Sequence, residues 1–154
     1  PTKIRALSQL AIPTDVKQIQ KLTGCVAALS RFISRLGEKA LPLYRLLPRT
    51  EYFEWTDAAT AGLEEIKALL ASNPILAAPN IGEPILLYIA ATHQVVSAVL
   101  VVEREEDEHK FPLQKAVYYV STVLTPCKSW YPHYQNIAYA VFMASRKLRH
   151  YFQE

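Results

Sequence analysis

Glycine is scarce in this chain, at 4 of 154 residues, and cysteine is limited to Cys25 and Cys127. Four scattered glycines exclude a glycine-rich phosphate-binding loop, and two cysteines cannot staple a disulfide-framed fold. No apolar run reaches the ~18 residues a membrane-spanning helix needs, and the opening residues Pro1-Thr2-Lys3-Ile4-Arg5 lack a signal peptide's apolar stretch. An intracellular protein with free thiols is expected, cytoplasmic or nuclear, with no membrane partner. Acids are missing where a two-metal site would need them, because such a site gathers several carboxylates. No Asp or Glu occurs between Pro84 and Val102, and after Glu108 the next acid is Glu154. His93, His109, His133 and His150 have no metal-ligand spacing; Cys25 has no His nearby in sequence, and Cys127, close to His133, lacks the third orienting group of a nucleophilic site, so both are expected to be spectators. From these residues no cofactor, no metal and no catalytic residue is expected.

What is present is an apolar fraction of 51%, enough for a real core, and an uneven charge. Residues 1–50 hold nine Lys/Arg against Asp15 and Glu38, whereas the remainder holds eight basic and twelve acidic residues. A basic first half beside an acidic second half points to contact between the first half and a polyanion, with a solvated basic helix surface as the alternative.

The first half reads as helical. Thr14 is the expected N-cap of a helix with Val16, Ile19, Leu22, Val26, Leu29 and Ile33 inward, followed by a break at Gly37. A short pattern through Ala40, Leu43, Leu46 and Leu47 ends at Pro48. A third helix opens at Thr56-Asp57, buries Ala61, Leu63, Ile66, Leu69 and Leu70, and closes at Asn73-Pro74, with Phe53 and Trp55 folding back on it. From Pro84 the period changes. Ile85–Ala91 reads as a strand buried on both faces, Val95–Val102 as a second strand, and Ala116–Val120 as a third beyond a charged hairpin over residues 103–110. A last helix, Tyr134–Phe152, carries Ile137, Ala140, Val141, Ala144, Leu148 and Tyr151 inward. The expected class is α+β, a helical module over 1–76 followed by a three-stranded antiparallel meander plus one helix over 77–154.

Three stretches carry a resemblance to a known family. Gln18-Ile19-Gln20-Lys21-Leu22-Thr23-Gly24 with Arg31-Phe32-Ile33 resembles the thumb and connection segment of gypsy-type LTR retrotransposon reverse transcriptases, those of plants in particular. Phe53-Glu54-Trp55-Thr56, Leu63-Glu64-Glu65-Ile66-Lys67 and Asn73-Pro74-Ile75-Leu76 resemble the segment leading into the ribonuclease H domain. Tyr88–Leu100, Val117–Ser121 and Tyr131–Phe152 resemble the first half of that domain, so a partial ribonuclease H-like unit is implied. The resemblance places Ala90 where the family has its first catalytic Asp and Ile137 where it has its catalytic Glu, with Gln135 at the preceding Glu. Methyl and branched hydrocarbon groups cannot ligate a metal. The family's remaining metal-binding aspartates would follow Glu154, and the polymerase palm would precede Pro1.

By position in the family, Gln20, Gly24 and Ala28 would face the minor groove of an RNA–DNA or DNA duplex, with Lys17 and Lys21 near phosphates and Arg31 and Arg35 adding to the same basic face. The family usually has an aromatic residue where Ala28 stands, and Gly24 has the alternative reading of a helix–helix packing position. With three strands, the first would be an edge, and Ile85, Leu87, Ile89 and Ala91 would form a partner-binding surface. The rest of a polyprotein, another copy of the chain or a host protein would then cover residues 84–92. The implied function is a non-catalytic connection or tether of a retrotransposon reverse transcriptase–ribonuclease H polyprotein. The alternatives are a retrotransposon-derived host protein that binds other proteins through that edge, and a residual nuclease.

Overall fold

The computed structural model describes residues 7, 11–47, 53–72, 75–105 and 111–153. The chain divides into two compact units, Pro1–Pro74 and Ile75–Glu154. The expected helix closures at Pro48 and at Asn73-Pro74, and the tip of the charged hairpin at 106–110, lie outside the described residues.

In the first unit helix α1 spans Val16–Ala28. Its N-cap is Asp15, one residue later than expected, because the Asp15 carboxylate accepts the Gln18 N–H at 2.8 Å. Gln18 answers by accepting the Thr14 N–H at 3.1 Å, so the Asp-x-x-Gln spacing closes the helix start from both sides. The helix stops at Ala28, short of the expected Ile33, and continues as a 3₁₀ turn over Ser30–Phe32. The break falls at Arg35 rather than Gly37. Arg35 adopts left-handed backbone (φ 53°), and Gly37 lies buried inside the short helix α2, Leu36–Lys39. Helix α3, Leu41–Tyr44, carries Pro42 in its first turn.

Helix α4, Asp57–Ala71, is capped by Thr56, whose hydroxyl accepts the Ala59 N–H at 3.2 Å. The Trp55 indole N–H donates to Thr60 Oγ1 at 2.7 Å, and Phe53 and Trp55 pack against the core. The buried face of α4 is Ala59, Gly62, Leu63, Ile66 and Leu70, and Ala61 is exposed. Gly62 replaces Ala61 on that face because a Cβ there would come within 2.5 Å of the Lys39 carbonyl oxygen. The α4 backbone therefore passes directly over the end of α2. Ile19, Leu22 and Val26 of α1 close the core with Ile33, Leu36, Leu43 and Ile66. Each such side chain contributes about 1.5–3 kcal/mol by leaving water.

The second unit is a three-stranded antiparallel sheet in the order β1-β2-β3, with β1 Ile85–Ala91, β2 Val95–Arg104 and β3 Leu113–Val123. One face packs on helix α6, His133–Lys147, which follows the single-turn helix α5, Pro126–Ser129. The strand buried on both faces is β2, where Val95, Val96, Ser97, Ala98, Leu100, Val101 and Val102 are all buried. Strand β1, expected to be buried twice over, alternates instead: Ile85, Leu87, Ile89 and Ala91 pack on the helix side, and Leu86, Tyr88 and Ala90 are exposed. Among the described residues it pairs with β2 alone, and a strand with one neighbour and one covering helix buries only every second side chain.

A bulge in β3 opposite Leu100/Val101 puts Val117 and Tyr118 together on the helix face. In α6 the buried positions are Asn136, Ala140, Met143 and Ala144, followed by Leu148 just beyond its end. Val141, expected inward, is exposed, and Ile137 is half-buried. The helix ends at Lys147, and Arg149–Tyr151 forms a 3₁₀ turn.

The segment before β1 is clasped to the sheet. The Ala77 N–H donates to the Ala116 carbonyl at 2.8 Å. Arg104 reaches Glu83 through Nε at 2.8 Å and Nη2 at 2.9 Å, and also donates to the Ala78 carbonyl at 2.6 Å. The Asn80 N–H adds a bond to Glu83 at 2.8 Å. The Arg104 hydrogen bonds and then the Asn80 amide hold the Glu83 carboxyl down at about 2, from an ordinary 4.5.

Candidate nucleic-acid interface

Helix α1 separates its side chains sharply. Ile19, Leu22 and Val26 are buried, and Lys17, Gln20, Lys21, Gly24 and Ala28 are exposed. At 100° per residue these five exposed positions fall within an arc of about 100° on the side opposite the buried three. The stripe is basic at one end, narrow at Gly24 and Ala28, and free of acids over the whole of Val16–Ala28.

Gly24 is open on its outer side. A Cβ built at Gly24 would meet nothing within 4 Å, so packing of the described residues does not require glycine there. The contrast with Gly62, where the same atom would strike backbone, is direct. What glycine does supply at position 24 is a low, flat stretch of helix onto which an outside surface can close.

The cations divide into two groups. Lys17 and Lys21 have no carboxylate within ion-pair distance among the described residues. Arg35 is paired with Glu38, and its backbone caps α2, so its charge is already partly answered. Arg31 is exposed, and its guanidinium stands 5.2 Å from the centre of the Phe32 ring. Elsewhere in this unit Lys39 meets Glu65 at 3.6 Å and Lys67 meets Glu64 at 3.1 Å. Asp15 caps the start of α1, and within Val16–Ala28 no acid answers Lys17 and Lys21, so the outer face of α1 is positive. A face of this kind attracts phosphates without reading sequence.

In the second unit the two positions that the resemblance assigns to catalytic acids are hydrocarbon. Ala90 stands on the exposed side of β1, opposite Ser97, and Ile137 is half-buried on α6. Ser97 and Ser121 share a hydroxyl–hydroxyl hydrogen bond at 2.9 Å. No three His, Cys, Asp or Glu side chains gather into a metal-holding group among the described residues. The side chains expected to form a partner-binding edge, Ile85, Leu87, Ile89 and Ala91, are committed to the core under α6. What β1 presents outward is its unpaired backbone edge, together with Leu86, Tyr88 and Ala90. Cys25 is half-buried and Cys127 exposed, both as free thiols. No helix among the described residues is long and apolar enough to cross a membrane.

Comparison with known proteins agrees with this architecture. The chain is 28% identical over 132 residues to the Gag-Pol polyprotein of gibbon ape leukemia virus, which covers 86% of this chain and 8% of that polyprotein. It is 28% identical over 141 residues to the transposon Tf2-3 polyprotein of Schizosaccharomyces pombe, 92% of this chain and 10% of that polyprotein. The chain therefore spans about a tenth or less of the length of these relatives. Among solved structures, the foamy viral protease–reverse transcriptase in complex with RNA/DNA hybrid matches 95% of this chain and 19% of its own, with a TM-score of 0.73 and 19% identity. The foamy viral protease–reverse transcriptase dRH in complex with double-stranded DNA matches 96% of this chain and 25% of its own, with a TM-score of 0.74 and 19% identity. At that identity the likeness is one of fold. Residues 55–154 match the family model described as the RNase H-like domain found in reverse transcriptase, and the chain belongs to that family, within the reverse transcriptase–ribonuclease H region of retroviral and retrotransposon polyproteins.

Proposed function

We propose that this chain is a non-catalytic connection or tether region of a retrotransposon reverse transcriptase–ribonuclease H polyprotein. It holds the template–primer duplex along α1 and spaces the polymerase from an active nuclease. The observation that carries this reading is the α1 stripe: Lys17, Gln20, Lys21, Gly24 and Ala28 exposed together, with a glycine that the packing does not require. The foamy viral enzymes of the same fold are complexed with double-stranded DNA and with an RNA/DNA hybrid, which supports a duplex as the ligand. Hydrocarbon at Ala90 and Ile137 supports the absence of nuclease chemistry, since neither side chain can ligate a metal.

Fluorescence anisotropy with a labelled RNA–DNA hybrid tests the duplex role. Affinity should fall steeply as salt rises, and the Lys17→Ala/Lys21→Ala variant should lower the log–log slope by about 1.8, roughly 0.9 for each phosphate that is no longer neutralised. Hybrid cleavage by the pure chain with magnesium or manganese would overturn the non-catalytic role. A second reading, a host interaction module, is favoured by the single pairing partner of β1, which leaves a backbone edge for an added strand. Absence of hybrid binding even at low salt would move the choice to that reading.

A further inference from the structure

The second unit carries a surface that the duplex reading does not use. Between residues 111 and 153 there is no Asp or Glu, although the stretch holds Lys115, Lys128, Arg146, Lys147 and Arg149 and ten aromatic residues. On and beside α6 some of these form a continuous ladder. The Lys128 ammonium lies 4.1 Å from the centre of the Tyr139 ring, and Tyr139 and Phe142 are 6.4 Å apart, centre to centre. The Arg146 guanidinium stands 5.7 Å from the Phe142 ring. Each cation thus lies over one ring of the pair, and Tyr139 is itself half-buried against the core.

Phe142 is 53% exposed, on the side of α6 away from Ala140, Met143 and Ala144, which pack against the sheet. The core therefore does not account for it. Trp130 (86% exposed) and Tyr134 (69%) add further uncovered rings where the chain enters the same helix.

We infer that this outer face of α6 binds a single-stranded stretch of nucleic acid, with a base stacking on the exposed ring of Phe142 and phosphates held by Lys128 and Arg146. Three features favour this ligand. Phe142, Trp130 and Tyr134 are exposed aromatic rings, and any base can stack on a ring of that kind. Lys128 and Arg146 have no acidic neighbours in the surrounding sequence, so the face complements a polyanion. A duplex hides its base faces, so it would use the charges and leave the rings idle. This face belongs to the second unit and the α1 stripe to the first, and its test is independent of the duplex reading.

The test is anisotropy of a labelled oligothymidine of about 15 nucleotides, run beside the RNA–DNA hybrid. Wild type should bind the oligothymidine at low salt. Phe142→Ala should weaken that binding about tenfold, and Arg146→Ala several-fold, with hybrid affinity unchanged. Lys17→Ala/Lys21→Ala should do the reverse. Circular dichroism of each variant should match wild type, since Phe142 and Arg146 are exposed. Three results would overturn the inference: no binding by wild type, binding indifferent to Phe142→Ala, or equal competition by polyglutamate, which would reduce the face to a general anion surface.

Discussion

The two longer helices described in the first unit, α1 and α4, each carry a glycine in mid-helix, and the two residues have opposite meanings. On α4, Gly62 is buried, and any Cβ would strike the carbonyl of Lys39 at 2.5 Å. On α1, Gly24 is exposed and a Cβ would touch nothing. Glycine costs a helix about 1 kcal/mol relative to alanine. At Gly62 that cost is the condition for close backbone packing. At Gly24 the packing of the described residues gains nothing in return, and the proposed duplex contact gives the glycine a use.

Substitution to alanine is the most direct way to break this comparison. Gly62→Ala should destabilise the protein by ~1–3 kcal/mol, because the neighbouring atom is backbone and must be pushed aside. A urea midpoint equal to wild type would show that α2 yields. Gly24→Ala should do the opposite, raising stability by about 1 kcal/mol through helix propensity while weakening hybrid binding. Unchanged hybrid affinity in that variant would remove the glycine from the interface. Replacing one cation sharpens the same point: Lys21→Ala should reduce the salt slope of hybrid binding by about 0.9, whereas Arg35→Ala should change it less, because Arg35 is already paired with Glu38.

The smallest effect lies in the second unit. Glu83 has its folded pKa depressed to about 2 from 4.5, so its stabilising contribution is complete above 4.5 and disappears as pH falls toward 2. Glu83→Gln should therefore melt below wild type at neutral pH, with the gap closing across that acid window. A gap independent of pH would show that the Arg104 bond does not set the titration.

Much of the fold was legible where local chemistry and burial agree. Thr56 caps its helix because Thr-Asp precedes an apolar period, and the meander follows from strands separated by turn and charge signals. Thr14 misled because Asp15 beside it is an equally good cap, and Gln18 three residues on favours Asp15. The β1 strand misled for a different reason. Leu86, Tyr88 and Ala90 make the run uniformly apolar, but burial of alternate residues depends on what covers each face, which periodicity cannot report.

The α1 stripe could be read in advance, since helical spacing alone puts Lys17, Lys21, Gly24 and Ala28 together. The aromatic ladder could not. Lys128 and Tyr139 are eleven residues apart, and only the turn from α5 into α6 brings them within 4.1 Å. The missing acids of residues 111–153 were the one signal available beforehand.

The clasp of Arg104 on Glu83 and Ala78 has a mechanical consequence. Tension entering the second unit at Ile75 meets the Ala77–Ala116 bond and the Arg104 fork before it reaches β1. A pull on this end is therefore shared by several bonds across β2 and β3 instead of unzipping the first strand from its tip.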